Sequence, residues 1–267
     1  MSSTFDFAVR AFGCNVHVET TCVETYAILE RYIFPWLPKW LPKSTGADGR
    51  TDLLIRVDRV GDQFQLSVNG VAVVSAAEVI SLMPDVIRAL DEAVVERLTS
   101  MRAVHAGAVL WRGRVLLLPG MSHAGKSSLV AELLRRGATY FSDEYALIDP
   151  EGRVHPYPRP LLLRNGRPEQ VPVLAGECSA SVGDAPAPVG WILSLQYHPE
   201  GSWSIEPVTQ GEALLNLLRN TPHVLAESPE MVAIFQRAVA GANCYVGHRA
   251  EAAHAVDEIL ELVGKAA

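Results

Sequence analysis

The sequence predicts an α/β protein. From residue 104 onward, short apolar runs alternate with amphipathic stretches, and one glycine-rich loop stands between such a run and a helical pattern. A smaller α+β region, residues 1–100, precedes this core. The change of pattern near Ser100–Arg102 places the boundary to the second region, residues 101–267.

In the first region Phe5–Val9 and Asn15–Glu19 alternate apolar and polar residues, as strands with one buried face do. Glu24–Ile33 reads as a short helix. It runs into Phe34-Pro35-Trp36-Leu37-Pro38-Lys39-Trp40-Leu41-Pro42, where prolines block regular hydrogen bonding. That segment suits either a peptide-binding surface or a loop pinned by its two tryptophans. Leu53–Val60 predicts a strand. Phe64–Val68 and Val71–Ser75 flank Asn69-Gly70, a hairpin signal because both residues tolerate positive φ. Glu78–Leu98 predicts a long amphipathic helix interrupted near Pro84.

The second region begins with a strand to Trp111, a turn at Arg112-Gly113-Arg114 and a strand over Val115–Leu118. A loop, a helix over Lys126–Arg136 and a strand over Thr139–Phe141 follow. Tyr145–Ile148 and Arg153–Tyr157 flank the turn Asp149-Pro150-Glu151-Gly152, whereas Gly166–Pro188 is rich in turn formers and yields no assignment. Gly190–Tyr197 predicts a buried strand, paired with Trp203–Pro207. Glu212–Leu218, Pro229–Val239 and Ala250–Val263 predict helices, with a short strand at Cys244–Val246.

Composition narrows the function. The chain has 267 residues, 49% of them apolar and 20% charged, a balance too apolar for a disordered protein. Its net charge of −7 argues against nonspecific nucleic-acid binding, which needs clustered Lys and Arg. No apolar run approaches the length of a membrane-spanning helix, and the start carries no basic segment followed by an apolar one. A cytoplasmic protein with no membrane partner is therefore expected. Cys14, Cys22, Cys178 and Cys244 form no CxxC pair and are expected as reduced thiols. No HExxH occurs, so histidine ligation of a metal has little support. The sequence leaves a homo-oligomer open.

Three segments carry chemistry. Gly120-Met121-Ser122-His123-Ala124-Gly125-Lys126-Ser127 matches G-x-x-x-x-G-K-[ST], between an apolar run and a helix that opens with Ser128. Small residues let backbone N–H groups turn inward around phosphate oxygens, while the helix that follows points its positive end at them. Lys126 is then placed for the β- and γ-phosphates, and the Ser127 hydroxyl for Mg²⁺. The residue frequencies of this chain give about 0.002–0.003 chance matches to the pattern. Lysine is scarce, with only Lys39, Lys43, Lys126 and Lys265. His123 stands where such loops usually have glycine, a position it can occupy at modest conformational cost. The second segment ends in Asp143-Glu144 at the close of the next predicted strand. There one carboxylate can accept a proton while the other positions Mg²⁺, unless the pair is a solvated turn. The third is His105, on the strand preceding the loop strand, where a buried structural histidine and a functional one look alike.

Taken in order, His105-Ala106-Gly107-Ala108-Val109, Gly120 to Ser128, and Gly137 through Asp143-Glu144 resemble the HPr kinase/phosphorylase family and its small stand-alone relatives. Some of those relatives belong to biosynthetic clusters for ribosomally made peptides, lasso peptides among them, and phosphorylate a peptide hydroxyl. A weaker likeness extends over Val154–Leu163, whose Pro156-Tyr157-Pro158-Arg159-Pro160-Leu161 is similar to a Pro-rich turn in these relatives. The resemblance implies the P-loop fold variant shared with phosphoenolpyruvate carboxykinases, with a mixed sheet. It implies Asp143 as the base, His105 beside it, Lys126 on the transferred phosphate and Ser127 on Mg²⁺, which leaves Glu144 as the carboxylate of the pair that positions the metal in the reading above.

The chain also departs from the family pattern. The Asp-Asp pair of HPr kinases is Asp143-Glu144 here. Their second metal signature has no counterpart, and their C-terminal Arg- and Pro-rich segment is missing, with Arg219-Asn220 the substitute in view. HPr is accordingly not the expected substrate. The expectation is an ATP- and Mg²⁺-dependent kinase acting on a Ser or Thr hydroxyl of a peptide or small-protein acceptor. A small-molecule kinase and a nucleotide-binding scaffold without phosphotransfer are the alternatives.

Overall fold

The structure is a computed structural model that describes residues 4–33, 35–36, 40–41, 51–121, 125–164, 166–222 and 229–265. The chain divides into two compact units, Met1–Thr99 with Arg159–Leu174, and Ser100–Pro158 with Ala175–Ala267.

In the first unit β1 (Phe5–Ala11) and β2 (Cys14–Thr20) form a hairpin, followed by α1 (Val23–Ile33) and the two-residue β3 (Trp40–Leu41). β4 (Leu53–Val60) lies parallel to β2, and β5 (Gln63–Val68) and β6 (Val71–Ala76) complete a sheet of order β3-β1-β2-β4-β5-β6. The Asn69-Gly70 turn has φ of 50° and 80°, the primed geometry whose twist matches that of the flanking strands. Alternation sets the buried face: Cys14, Val16, Val18 and Thr20 point inward along β2, and Leu53, Ile55 and Val57 along β4.

The expected helix over Glu78–Leu98 is instead a 3₁₀ turn, Val79–Leu82, leading into α2 (Met83–Glu96). Pro84 sits in the first turn of α2, where its missing N–H leaves no bond unmade, so it starts the helix rather than interrupting it. Of the Trp/Pro segment, Trp36 is buried at 1% exposure, as a pinning aromatic would be. Phe34, residues 37–39 and Pro42 lie outside the described residues, and with them the peptide-surface reading.

The second unit opens with β7 (Arg102–Trp111) and β8 (Arg114–Pro119), joined by a two-residue turn, then α3 (Lys126–Arg135), β9 (Thr139–Ser142), β10 (Tyr145–Ile148) and β11 (Arg153–His155). The chain next contributes the hairpin β12 (Leu161–Leu163) and β13 (Val171–Val173) to the first unit. This excursion differs from the expected division at residue 100. Arg159 is buried there and donates to the Asp91 carboxylate of α2 at 2.9 Å. A partner 68 residues away leaves no local signal in the sequence.

After the excursion come β14 (Ala187–Tyr197), β15 (Ser204–Pro207), α4 (Gln210–Arg219), α5 (Pro229–Val239), β16 (Asn243–Arg249) and α6 (Ala252–Lys265). The sheet runs β11-β10-β7-β8-β14-β16-β15, with β9 paired to β7. β8, β14 and β16 are mutually parallel, whereas β7 is antiparallel to β8, so the sheet is mixed. Phe141, Leu117, Ile192, Leu217 and Phe235 anchor a core between this sheet and α4 and α5. No helix among the described residues is long and apolar enough to cross a membrane.

Candidate active site

The carboxyl ends of β8, β14 and β16 lie together at one end of the sheet, the end at which open α/β sheets collect ligands. At the end of β8, Gly120 N–H donates to the His105 carbonyl at 3.1 Å, holding the start of the loop against β7. Ser122, His123 and Ala124 lie outside the described residues. The loop re-emerges at Gly125, with φ 71° and ψ 23°, and Lys126 opens α3. An alanine at Gly125 would bring left-handed strain, and its Cβ would run into the Arg249 guanidinium.

α3 begins with no side-chain cap and no acidic residue in its first turn. Among the described residues no side chain caps the N–H groups at its start, and with the positive end of the helix dipole they form an arrangement that fits an anion. Gly107 of β7 makes the close approach of α3 to the sheet possible, because a Cβ there would stand 2.7 Å from Val130 Cγ2.

Lys126 is buried, and its Nζ donates to the Met121 carbonyl at 3.1 Å. The same nitrogen lies 3.9 Å from Glu144 Oε2, while Glu144 Oε1 is 3.3 Å from His105 Nδ1. The latter distance is short but misaligned. Among the described residues the buried Nδ1 has no hydrogen-bond partner. The His105 ring packs on Tyr145, its cross-strand partner, with centroids 4.4 Å apart. The His105 N–H donates to the Asn220 carbonyl at 2.7 Å, which brings the end of α4 to the site. Arg219 is exposed, so this segment touches the site through Asn220.

The two carboxylates occupy a break between β9 and β10, both paired with the same edge of β7. The buried Ser142 Oγ accepts from Glu144 N and Tyr145 N at 3.4 and 3.3 Å, and the Glu144 carbonyl accepts from Ala106 N at 3.0 Å. Glu144 reaches toward Lys126 and His105 with its side chain 22% exposed. Asp143 turns inward instead, with no exposed surface, and accepts from the Tyr140 hydroxyl at 2.9 Å. The structure therefore gathers His105, Lys126 and Glu144, with Asp143 behind them. Ser127 is half-buried and Ser128 exposed in the first turn of α3.

Arg249 and Tyr140 have no signature in the sequence. Arg249 ends β16, is 3% exposed, and donates through Nη2 to the Gly125 carbonyl at 2.9 Å and through Nη1 to the Ala250 carbonyl at 3.0 Å. Its guanidinium stacks over the Tyr197 ring at 5.1 Å. Burial lowers its pKa, against the pull of Tyr197 and Glu251. The Gly125 contact spans 124 residues, so no spacing rule finds it.

Among the described residues no group of three or more His, Cys, Asp or Glu side chains is placed to hold a metal. A hydroxyl and a carboxylate suit Mg²⁺ nonetheless, since that ion keeps waters and shares phosphate oxygens. No family model matches the chain, and no curated protein matches it. Among solved structures, the Hpr(Ser) kinase/phosphatase from Coxiella burnetii is similar at 14% identity, covering 61% of this chain and 94% of that one, with a TM-score of 0.30. A likeness of that size leaves the fold to be read from the strand order itself.

Proposed function

We propose that the protein is an ATP- and Mg²⁺-dependent phosphotransferase that delivers a phosphoryl group to a Ser or Thr hydroxyl of a peptide or small protein. One observation carries the reading. A glycine-lysine-serine loop opens an uncapped helix at the carboxyl end of its strand, and the lysine stands 3.9 Å from a carboxylate that also abuts His105. Phosphoryl transfer asks mainly for positioning and charge neutralisation, and these residues supply both.

Each residue has a task. The N–H groups at the start of α3 receive phosphate oxygens. Lys126 exchanges the Met121 carbonyl for phosphate oxygen, which retains a hydrogen bond and gains a charge partner. The Ser127 hydroxyl and Glu144 hold Mg²⁺, which neutralises phosphate charge when bound. Asp143 takes the proton of the acceptor hydroxyl, and His105 lies beside the reacting groups with an unspent Nδ1. The burial of Asp143 means that acceptor binding has to uncover it. That same burial favours one second reading, a module that binds nucleotide without transfer.

The test is phosphate mass added to candidate peptides. Asp143→Asn is expected to abolish transfer with ATP affinity within a few fold of the parent, and Glu144→Gln to raise the Mg²⁺ concentration required. Full activity in Asp143→Asn removes it as the base. Nucleotide binding with no transfer to any acceptor selects the second reading.

A further inference from the structure

We propose that the groove at the carboxyl ends of β14 and β16 seats the purine base of the bound nucleotide, an inference that rests on the phosphotransferase reading above. The loop strand β8 has two flanks. On one, β7 and the β9–β10 break supply His105, Asp143 and Glu144. An acceptor attacking from that flank requires the leaving diphosphate on the far side of phosphorus, because attacking and leaving oxygens are roughly in line. The rest of the nucleotide then extends toward the other flank, over β14 and β16.

A groove of about 650 Å³ lies there, within the range of small-molecule sites. Its wall is the loop after β14, carrying His198, Glu200 and Ser202, with Ser204 of β15 and His248 of β16. His248 precedes Arg249 on β16, so the His248 ring leaves the strand on the face opposite the guanidinium that holds the Gly125 carbonyl, and the groove lies across the strand end from that contact. Arg249 also ties the groove loop down, its carbonyl accepting from His198 N at 2.9 Å.

The chemistry suits a purine. The exposed His198 and His248 rings meet edge-on with centroids 4.8 Å apart, which leaves ring faces for stacking. The Glu200 carboxylate can accept from an exocyclic amino group, and the Ser202 and Ser204 hydroxyls can donate or accept along the base edge. Two glycines permit close packing beside it. A Cβ on Gly201 would stand 2.8 Å from His198 Cβ in a turn closed by Gly201 N to the His198 carbonyl, and Gly247 has no room for a side chain against the Ser204 carbonyl.

The test titrates the full chain, with Mg²⁺, against ATP and against inorganic tripolyphosphate, which lacks a base. Removing both rings with His198→Ala/His248→Ala is expected to weaken ATP about tenfold and leave tripolyphosphate within twofold. Ser202→Trp, which fills the groove, is expected to do the same. If both variants keep parental ATP affinity, or lose ATP and tripolyphosphate equally, the base assignment is overturned while the phosphate site stands. If the parent binds neither compound, the phosphotransferase reading fails and takes this inference with it.

Discussion

Replacing Gly125 with alanine separates two costs that the structure places on one carbon atom. Residue 125 has φ 71°, where an L-residue pays about 1–2 kcal/mol. Its new Cβ would also meet the Arg249 guanidinium, which is buried and has little freedom to withdraw. Displacing it sacrifices the 2.9 Å bond to the Gly125 carbonyl, and a bond from a charged donor contributes about 1.5–3 kcal/mol. Gly125→Ala is therefore expected to lower unfolding free energy by about 2.5–5 kcal/mol. In an Arg249→Ala background the collision and the bond are both already gone, and only the backbone cost of about 1–2 kcal/mol remains. Urea denaturation of the parent, both single variants and the double variant, followed by tryptophan fluorescence, measures the coupling. It should reach about 1.5–3 kcal/mol. Additive costs, within about 0.5 kcal/mol, would show that the arginine does not brace the loop. The cycle needs no ligand, so it tests the geometry whatever the loop binds.

Two further outcomes concern other parts of the chain. Burial drives the Cys14 thiol up to about 11, while at Cys22 the Thr25 and Glu24 hydrogen bonds outweigh burial and lower the pKa, so iodoacetamide at pH 8 should alkylate Cys22 well before Cys14, as read by mass spectrometry. Asp149 is burdened by burial, yet the Arg153 N–H at 2.8 Å, the His155 ring at 2.9 Å and the Arg153 guanidinium together hold its pKa below the ordinary carboxylate value. The stability it contributes is present above about pH 4 and is lost as pH falls through the lower folded-state pKa. Asp149→Asn should cost about 1–3 kcal/mol at pH 7, with the gap to the parent narrowing at pH 3 in urea titrations.

What the sequence revealed divides by the range of the interaction. The Asn69-Gly70 hairpin, the strand before the loop and the start of α3 are local events, fixed by alternation and by residues that tolerate positive φ, and the structure has them where the pattern put them. The strand assignment at Arg153–Tyr157 runs long because Tyr157 N leaves the strand to bond the Phe141 carbonyl, a contact invisible to periodicity. In the excursion Arg159 meets Asp91 in a buried ion pair, and the loop is braced by Arg249, 124 residues further along the chain. Each joins parts of the chain 68 or 124 residues apart, which no window of the sequence contains.

The same distinction explains why Asp143 and Glu144, neighbours read as one feature, do not share an environment. β9 and β10 pair with one edge of β7, and the two acidic residues fill the break between them. The chain bends at these two residues between the strands, and their side chains part there, one inward and one toward the loop. The inner position falls to Asp143, where the Tyr140 hydroxyl offsets the cost of burying a carboxylate. The outer falls to Glu144, between a lysine and a histidine. In the function proposed above these unequal surroundings serve unequal tasks, Glu144 holding the metal at the loop and Asp143 taking the acceptor's proton. Exchanging them should therefore harm the site more than shortening or lengthening either side chain alone, because the requirement resides in the sides of the break rather than in the number of acids.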